Sequence, residues 1–394
     1  MTGCTDLKIA DVEAVWLHCP LEGSAQHTSD FGRIQSFDSV LVTVVTAGGL
    51  RGHGEAKAGV GSAADCASLV TLIRTELRQR LLGQDAQQIQ RLWSLMYNGP
   101  RHDHAQRIGR SMPVLGRRGL HLSAISGVDL ALWDLLGKSL GRPVLELLGG
   151  ACHDRLPAYA SGGWADADGI GQELGGYLQQ GFRAAKMRIG AMDGSIDRSL
   201  ARVRAARTAI GADTLLMVDA HGTMTVPQAK RFCQAAAPFD LRWLEEPVSP
   251  DDRAGAAEVR RTSTIPIAAG ESESTCFDFL DLLRTGAVDV LQPDLAICGG
   301  LSEGLRIGAL ATAHQRDLAP HCWGSAISFV AAATLASASP SGSCIEWPMG
   351  GNPLLRELPK QDLTPRDGQV QLPNGPGWGL DLDRSVIDKY QKRP

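Results

Sequence analysis

The chain runs to 394 residues, 43% of them hydrophobic and 21% charged, with a formal net charge of -4. That length and apolar share suffice for a barrel plus a second domain whose core needs no covalent staples. No block of like charge stands out, which argues against a nucleic-acid or anionic-membrane surface.

The N-terminus, MTGCTDLKIADVEAVW, mixes charges early and shows no apolar leader core. No run is read as approaching the roughly 20 apolar residues of a membrane span. The nine cysteines are scattered, odd in number and never spaced as Cys-x-x-Cys. They read as reduced thiols, so a cytoplasmic protein is expected.

In chain order, Val12 to Cys19 and Val40 to Thr46 read as strands, rich in β-branched residues and separated by a polar loop, Pro20 to Asp38. A Gly-rich stretch, GGLRGHGEAKAGVGS, follows and reads as a loop; Glu55 and Lys57 within it are expected to make contacts of the capping domain alone. Helical periodicity covers Cys66 to Leu82, Asp85 to Tyr97 and Leu122 to Leu140, the last stopped by Gly141-Arg-Pro143.

From Leu156 onward short apolar strands alternate with helix-like segments, the pattern of parallel βαβ units. After a first strand at Leu156 to Ala160, strand ends fall near positions 188, 219, 245, 271, 294, 321 and 346. That spacing of roughly 23–31 residues suits a (β/α) barrel of about 250 residues. A doubly wound sheet would announce itself by a Gly-rich phosphate loop after its first strand, and none is present. The expected fold class is therefore α/β: a modified (β/α)8 (TIM-type) barrel with an α+β capping domain. Residues 1–125 are assigned to the cap, 126–364 to the catalytic barrel, and 365–394 to a segment returning to the cap.

In such a barrel the C-terminal strand ends form the active-site face, so charged residues that close apolar strands are catalytic candidates. Nearly every strand here ends in one: Lys186 and Arg188, Asp219 and His221, Glu245, Glu271, Asp294, His321, Glu346. Any one of them could instead cap the next helix; the series as a whole does not read that way. Asp219, Glu245 and Glu271 on consecutive strands would repel one another unless a cation lay between them. An all-oxygen donor set suits Mg²⁺. Asp294 and His321 are one βα unit apart, so the carboxylate is placed to orient the imidazole as a base. His102-Asp-His104 has metal-ligand spacing but precedes the barrel. Glu246 should point to the other side of its strand end, and Met217 and Trp243 read as core.

These residues carry a resemblance. SAISGVDLALWDLLGKSLGRPVLELLGG (Ser123 to Gly150), then KMR, VDAH, WLEEP, AAGE, QPD, APH and IEW in order, resemble the mandelate racemase branch of the enolase superfamily over almost the whole chain. The resemblance implies that Asp219, Glu245 and Glu271 bind Mg²⁺ and that Asp294 and His321 form an acid/base dyad. It also implies that Glu346 hydrogen-bonds the substrate carboxylate. A Lys or His base beside Mg²⁺ that stabilises an enediolate is the general pattern recorded for that superfamily, not a result of this sequence.

Two departures from the family pattern separate the possible reactions. A racemase needs a base on each face of its substrate, and the family's second lysine of Lys-x-Lys is here Arg188. Guanidinium rarely gives up its proton, so Arg188 suits a clamp for a carboxylate or hydroxyl. His221 stands where the family often has asparagine, and resembles the residue that protonates a departing hydroxyl in D-galactonate and D-mannonate dehydratases. His221 is therefore expected to protonate the departing hydroxyl; the alternative is a supporting role that positions Asp219 or a water.

The resulting expectation is a Mg²⁺-dependent acid-sugar dehydratase. Its alternatives are a two-base racemase or epimerase of a 2-hydroxy carboxylate and a non-catalytic barrel that binds sugar acids. His27 in the Pro20 to Asp38 loop, with Lys186, Arg188 and Glu346, is expected to contact the substrate. A homo-oligomer acting on a small molecule, without nucleic-acid or membrane partners, completes the reading.

Overall fold

The structure is a computed structural model that describes residues 6–22, 27–30, 32–59, 66–110 and 116–392. The first five strands are β1 (Ile9–Pro20), β2 (His27–Ser29), β3 (Gly32–Ile34), β4 (Ser36–Thr46) and β5 (Arg51–Ala56). β1 and β4 pair antiparallel along their length, from Ile9 with Thr46 to Pro20 with Ser36. β5 continues the sheet beside β4, and β2 and β3 form a separate hairpin inside the long loop. The buried alternation Val12, Ala14, Val40, Val42 and Val44 faces the helices of this layer and makes its core.

The Gly-rich stretch is thus partly a strand, not a loop, and its glycines explain how. A Cβ on Gly54 would lie 2.0 Å from Gly127 O, and one on Gly52 would lie 2.1 Å from Ala131 O. Only bare backbone lets β5 lie directly against the helix Leu120–Leu140. That helix has 21 residues and is long and apolar enough to cross a membrane, contrary to the reading of the sequence. Of its most apolar window, 78% is buried inside the fold. Its polar residues also have partners within the fold: Asp134 accepts the His53 and Trp378 N–H groups, and Asp129 accepts from Ser302.

The larger unit holds eight parallel strands: β6 (Leu156–Gly162), β7 (Ala184–Arg188), β8 (Leu215–Asp219), β9 (Leu241–Glu245), β10 (Ile267–Ala269), β11 (Val290–Leu291), β12 (Asp317–Leu318) and β13 (Ile345–Pro348). They lie in the order β12-β11-β10-β9-β8-β7-β6-β13, a single parallel sheet. A Leu318–Gly342 bridge joins β12 to the residues just ahead of β13. Side chains alternate along each strand. Leu216, Val218 and Met187 pack outward under the helices, whereas Tyr159, Met217, Trp243, Ala268 and Ala319 fill the inside. Two short strands end the chain. β14 (Gln369–Val370) pairs with β6, and β15 (Gln391–Lys392) returns to pair antiparallel with β1 of the cap.

Candidate active site

The alternation that buries Met217 and Trp243 inside the sheet also decides which later residues point there. Two positions further along, Asp219 and Glu245 close β8 and β9, and Glu271 follows β10. All three are buried, and one oxygen from each lies within 4.8 Å of the others. Among the described residues this is the one such grouping of acidic, histidine or thiol ligands. His102, in a cap helix (His102–Arg107), takes no part in it.

Positive charge surrounds the triad. Lys186 Nζ lies 2.5 Å from Glu245 Oε1, 2.9 Å from Glu346 Oε1 and 3.5 Å from Asp219 Oδ2. Trp243 Nε1 and Gln292 Nε2 both donate to Glu245 Oε2, at 3.0 and 2.6 Å. Burial and the charges of Asp219, Glu346 and Glu271 still lift Glu245 to about 8, against the pull of Lys186. The residues present therefore fit a hard divalent cation, with three clustered carboxylates, oxygen-only donors and a repulsion that Lys186 relieves only in part.

His321 follows β12 and lies near the same Glu346 carboxylate that Lys186 contacts. Its Nδ1 lies 2.9 Å from Asp294 Oδ2, while Nε2 faces Glu271 Oε2 at 3.3 Å and Glu346 Oε2 at 3.9 Å. Burial presses the imidazole down, but Glu271 and Glu346 more than offset this and hold it up at about 9. Asp294 is pressed up by burial and pulled well below the usual carboxylate range by Lys57 and His321. Glu346 is fully buried. It accepts the Cys322 N–H at 2.8 Å and Trp323 Nε1 at 3.1 Å, which fixes its carboxylate beside Lys186.

Arg188 pairs in register with Asp219 and is 7% exposed. Its Nη2 lies 3.3 Å from Asp193 Oδ1, and its Nε and Nη1 have no hydrogen-bond partner among the described residues. Asp193 is shared with Arg202, whose Nη1 lies 2.9 Å away. A buried guanidinium with unused N–H groups is suited to an incoming oxygen acceptor.

His221 adopts a left-handed backbone, φ 45°. Its Nε2 lies 3.1 Å from Asp219 Oδ2 and its Nδ1 lies 2.8 Å from Asp30 Oδ2. Burial lowers it, but Asp219 and Asp30 hold it up at about 11. Asp30 belongs to the cap loop in which His27 was expected to contact substrate. The backbone of His27 pairs with Ile34 in the hairpin, and its side chain lies outside the described residues.

Sequence reasoning missed three participants. Asp30 reaches His221 from the cap, and Lys57 crosses from the cap to lie 2.9 Å from Asp294 Oδ2. Glu246, expected on the other side of its strand end, is buried and has φ 36°. Burial, then the charges of Glu271, Asp219 and Glu245, push its carboxyl well above the ordinary range, so it feels the triad without being one of its three grouped ligands. The alternation rule fails there because a left-handed residue breaks the extended strand.

Two family descriptions match the chain. Residues 13–149 match the mandelate racemase / muconate lactonizing enzyme, N-terminal domain, and residues 170–386 match the enolase C-terminal domain-like family. A D-galactarolactone cycloisomerase from Agrobacterium fabrum is 35% identical over 324 residues, which are 79% of this chain and 82% of that protein. A D-galactonate dehydratase from Ralstonia nicotianae is 34% identical over 335 residues, 81% of this chain and 84% of that protein. The crystal structure of a racemase from Streptomyces coelicolor A3(2) with bound magnesium superposes with a TM-score of 0.84 at 30% identity, covering 98% of this chain and all of that one (100%). Mg²⁺ is the cofactor that both the donor set and this likeness indicate. The chain is an enzyme of the enolase superfamily and belongs to its mandelate racemase branch.

Proposed function

We propose that the chain is a Mg²⁺-dependent lyase that dehydrates an acid sugar, an aldonate or aldarate, to a 2-keto-3-deoxy acid. The parallel sheet acts as a complete modified (β/α)8 barrel, with residues 1–125 and 365–394 as its cap. The observation that carries this reading is the asymmetry of the mouth. One side has an imidazole backed by a carboxylate, His321 with Asp294 at 2.9 Å. The other has Arg188, a guanidinium and hence no base, and Lys186, held as an ammonium between Glu245 and Glu346. The dehydratase among the relatives supports the same class.

In this reading Asp219, Glu245 and Glu271 hold the cation. Mg²⁺ bound there supplies positive charge against the developing enediolate, an effect worth several kcal/mol. Lys186 holds the substrate carboxylate, Glu346 in its acid form donates a hydrogen bond to it, and Arg188 donates to an oxygen of the chain beyond it. In its neutral form, which a cation offsetting the Glu271 charge would favour, His321 takes the C2 proton on Nε2, and the C2–H electron pair moves into the enediolate. The C3–O bond then breaks, with His221 giving its proton to the departing hydroxyl so that water leaves. The enol takes a solvent proton at C3, gives up its O–H proton to solvent and becomes the 2-keto acid. His321, once protonated, is the alternative donor.

The direct test incubates the enzyme with a panel of C4 to C6 aldonates and aldarates and assays 2-keto-3-deoxy product. Product from at least one member, lost on chelation and restored by Mg²⁺, is expected. Full turnover in metal-free enzyme would overturn the metal assignment. Epimerisation without loss of water would favour the racemase reading instead.

A further inference from the structure

Lys57 stands immediately after β5, at the tip of the capping sheet, and leaves that sheet for the barrel mouth. Its Nζ lies 2.9 Å from Asp294 Oδ2, the same oxygen that lies 2.9 Å from His321 Nδ1. The other carboxylate oxygen, Oδ1, accepts the Ala296 N–H at 2.9 Å. Asp294 is therefore held from three directions: by its own loop, by the imidazole it orients, and by an ammonium from the cap.

The start of the Lys57 side chain is equally fixed. Its N–H donates to Ala296 O at 3.3 Å. Two residues earlier, the Glu55 carboxylate receives Ser325 N–H, Ser325 Oγ, Ser328 N–H and Ser328 Oγ, at 2.5–3.2 Å. These contacts seat the end of β5 on the helix Ala326–Ala338, which follows the His321 loop. With both ends held, the lysine stem has little freedom to point elsewhere.

Burying an ammonium is costly unless it is paired, and Lys57 is 8% exposed and Asp294 1%. A mere tie between the two units does not need that cost. The cap already makes one at the surface, where Arg118 Nε and Nη2 each donate to Asp278 at 2.9 Å. What Lys57 adds lies at the dyad itself. Burial alone would favour a protonated Asp294, and the Lys57 charge is the largest influence opposing it. An ionised Asp294 accepts only, so it takes the Nδ1 proton of His321 and leaves Nε2 facing the cluster.

We infer that Lys57 is a positioning residue for proton abstraction: a cap-borne ammonium that locks the Asp294 carboxylate so that His321 presents Nε2 to the substrate. The inference rests on the reading of His321 and Asp294 as the base pair. It means that the base is complete only when the cap is seated on the barrel.

The test uses the full-length, Mg²⁺-loaded enzyme and three substitutions, Lys57→Met, Lys57→Arg and, as a surface-tie control, Arg118→Met. One measurement is C2 deuterium exchange, resolved into kcat and KM, on whichever member of the acid-sugar panel the wild type turns over. The other needs no substrate: the Nδ1–H resonance of His321 in ¹⁵N-histidine-labelled protein, assigned by its loss in His321→Asn. Lys57→Met is expected to lower kcat about 10²-fold, the cost of a misplaced catalytic group, with KM within about twofold. It should also shift or abolish the resonance. Lys57→Arg should keep the resonance and recover part of kcat, and Arg118→Met should lower only thermal stability. Wild-type kcat with an unmoved resonance in Lys57→Met would overturn the inference. So would a loss that parallels stability in both Lys57→Met and Arg118→Met and is not rescued by arginine. If Lys57→Met does not fold, Lys57→Gln takes its place under the same criteria. If the wild type turns over no acid sugar, the functional reading fails and the resonance still decides the role of Lys57.

Discussion

His221 Nδ1 lies 2.8 Å from Asp30 Oδ2, so a residue of the parallel-sheet unit beside the carboxylate triad is oriented by a carboxylate from the cap loop. The same Asp30 accepts the Met192 N–H at 3.0 Å through Oδ1, which ties the loop to the segment after β7. If His221 protonates the leaving hydroxyl, this contact aims it. Asp30→Asn is then expected to slow water loss about tenfold while C2 exchange changes less, because aiming matters to the acid step alone. Removing the acid itself, with His221→Asn, should slow elimination by about 10²-fold or more. Asparagine tolerates the left-handed backbone of this position, so the change tests chemistry more than folding. The check is deuterium in recovered substrate against product formed. Equal loss of exchange and elimination would make His221 a support for Asp219.

His321→Asn should abolish C2 exchange by about 10²–10⁴-fold, the range for a well-placed general base. None of the three proposed metal ligands is altered, so calorimetric titration should still show Mg²⁺ binding. Exchange at the wild-type rate would rule His321 out as the base.

How the cap is seated can be tested apart from catalysis. Ser325 Oγ donates to Glu55 Oε2 at 2.5 Å and accepts the Ile327 N–H at 3.2 Å, serving as the N-cap of the helix Ala326–Ala338. Ser325→Ala should cost about 1–2 kcal/mol. The measurement is the urea midpoint at unchanged slope. An unchanged midpoint would show that Glu55 is satisfied without this hydroxyl.

Asp129, buried in the helix Leu120–Leu140, gives a pH dependence away from the cation site. Burial raises it from 3.8 to about 7, although Ser302 N–H and Oγ both donate to it, at 2.9 and 2.6 Å. Between those two values the unfolded chain ionises this group while the folded one keeps its proton. The unfolded state then binds fewer protons, so this residue lowers stability as pH rises from about 4 to about 7 and adds nothing further above that. Asp129→Asn should therefore gain on the wild type by on the order of 1–4 kcal/mol between pH 5 and pH 7.5. Denaturation midpoints at those two pH values measure it. A gap that narrows with rising pH would contradict the assignment.

Much of the site was legible because strand periodicity and charge act together. Asp219 and Glu245 follow Met217 and Trp243 on the inward face, so an apolar strand that ends in a carboxylate announces both its direction and its chemistry. The same logic placed Lys186, Asp294, His321 and Glu346 at the mouth. It failed where the backbone leaves the extended form, as at Glu246, and where glycine serves packing and not turning, as at Gly52 and Gly54. It also failed across the two units. Lys57 lies 237 positions from Asp294 and Asp30 lies 191 from His221, distances over which no local pattern reports contact. The long helix Leu120–Leu140 needed the fold to show that its apolar surface is covered by protein.

The central claim is that His321 removes the C2 proton of an acid sugar and that the enediolate then expels the 3-hydroxyl. The most direct measurement incubates the Mg²⁺-loaded enzyme with the panel sugars in D₂O and follows each by proton NMR. The account predicts a 2-keto-3-deoxy acid carrying deuterium at C3, with no accumulation of the C2 epimer. Deuterium at C2 of both epimers, with no loss of water from any panel sugar, would contradict it.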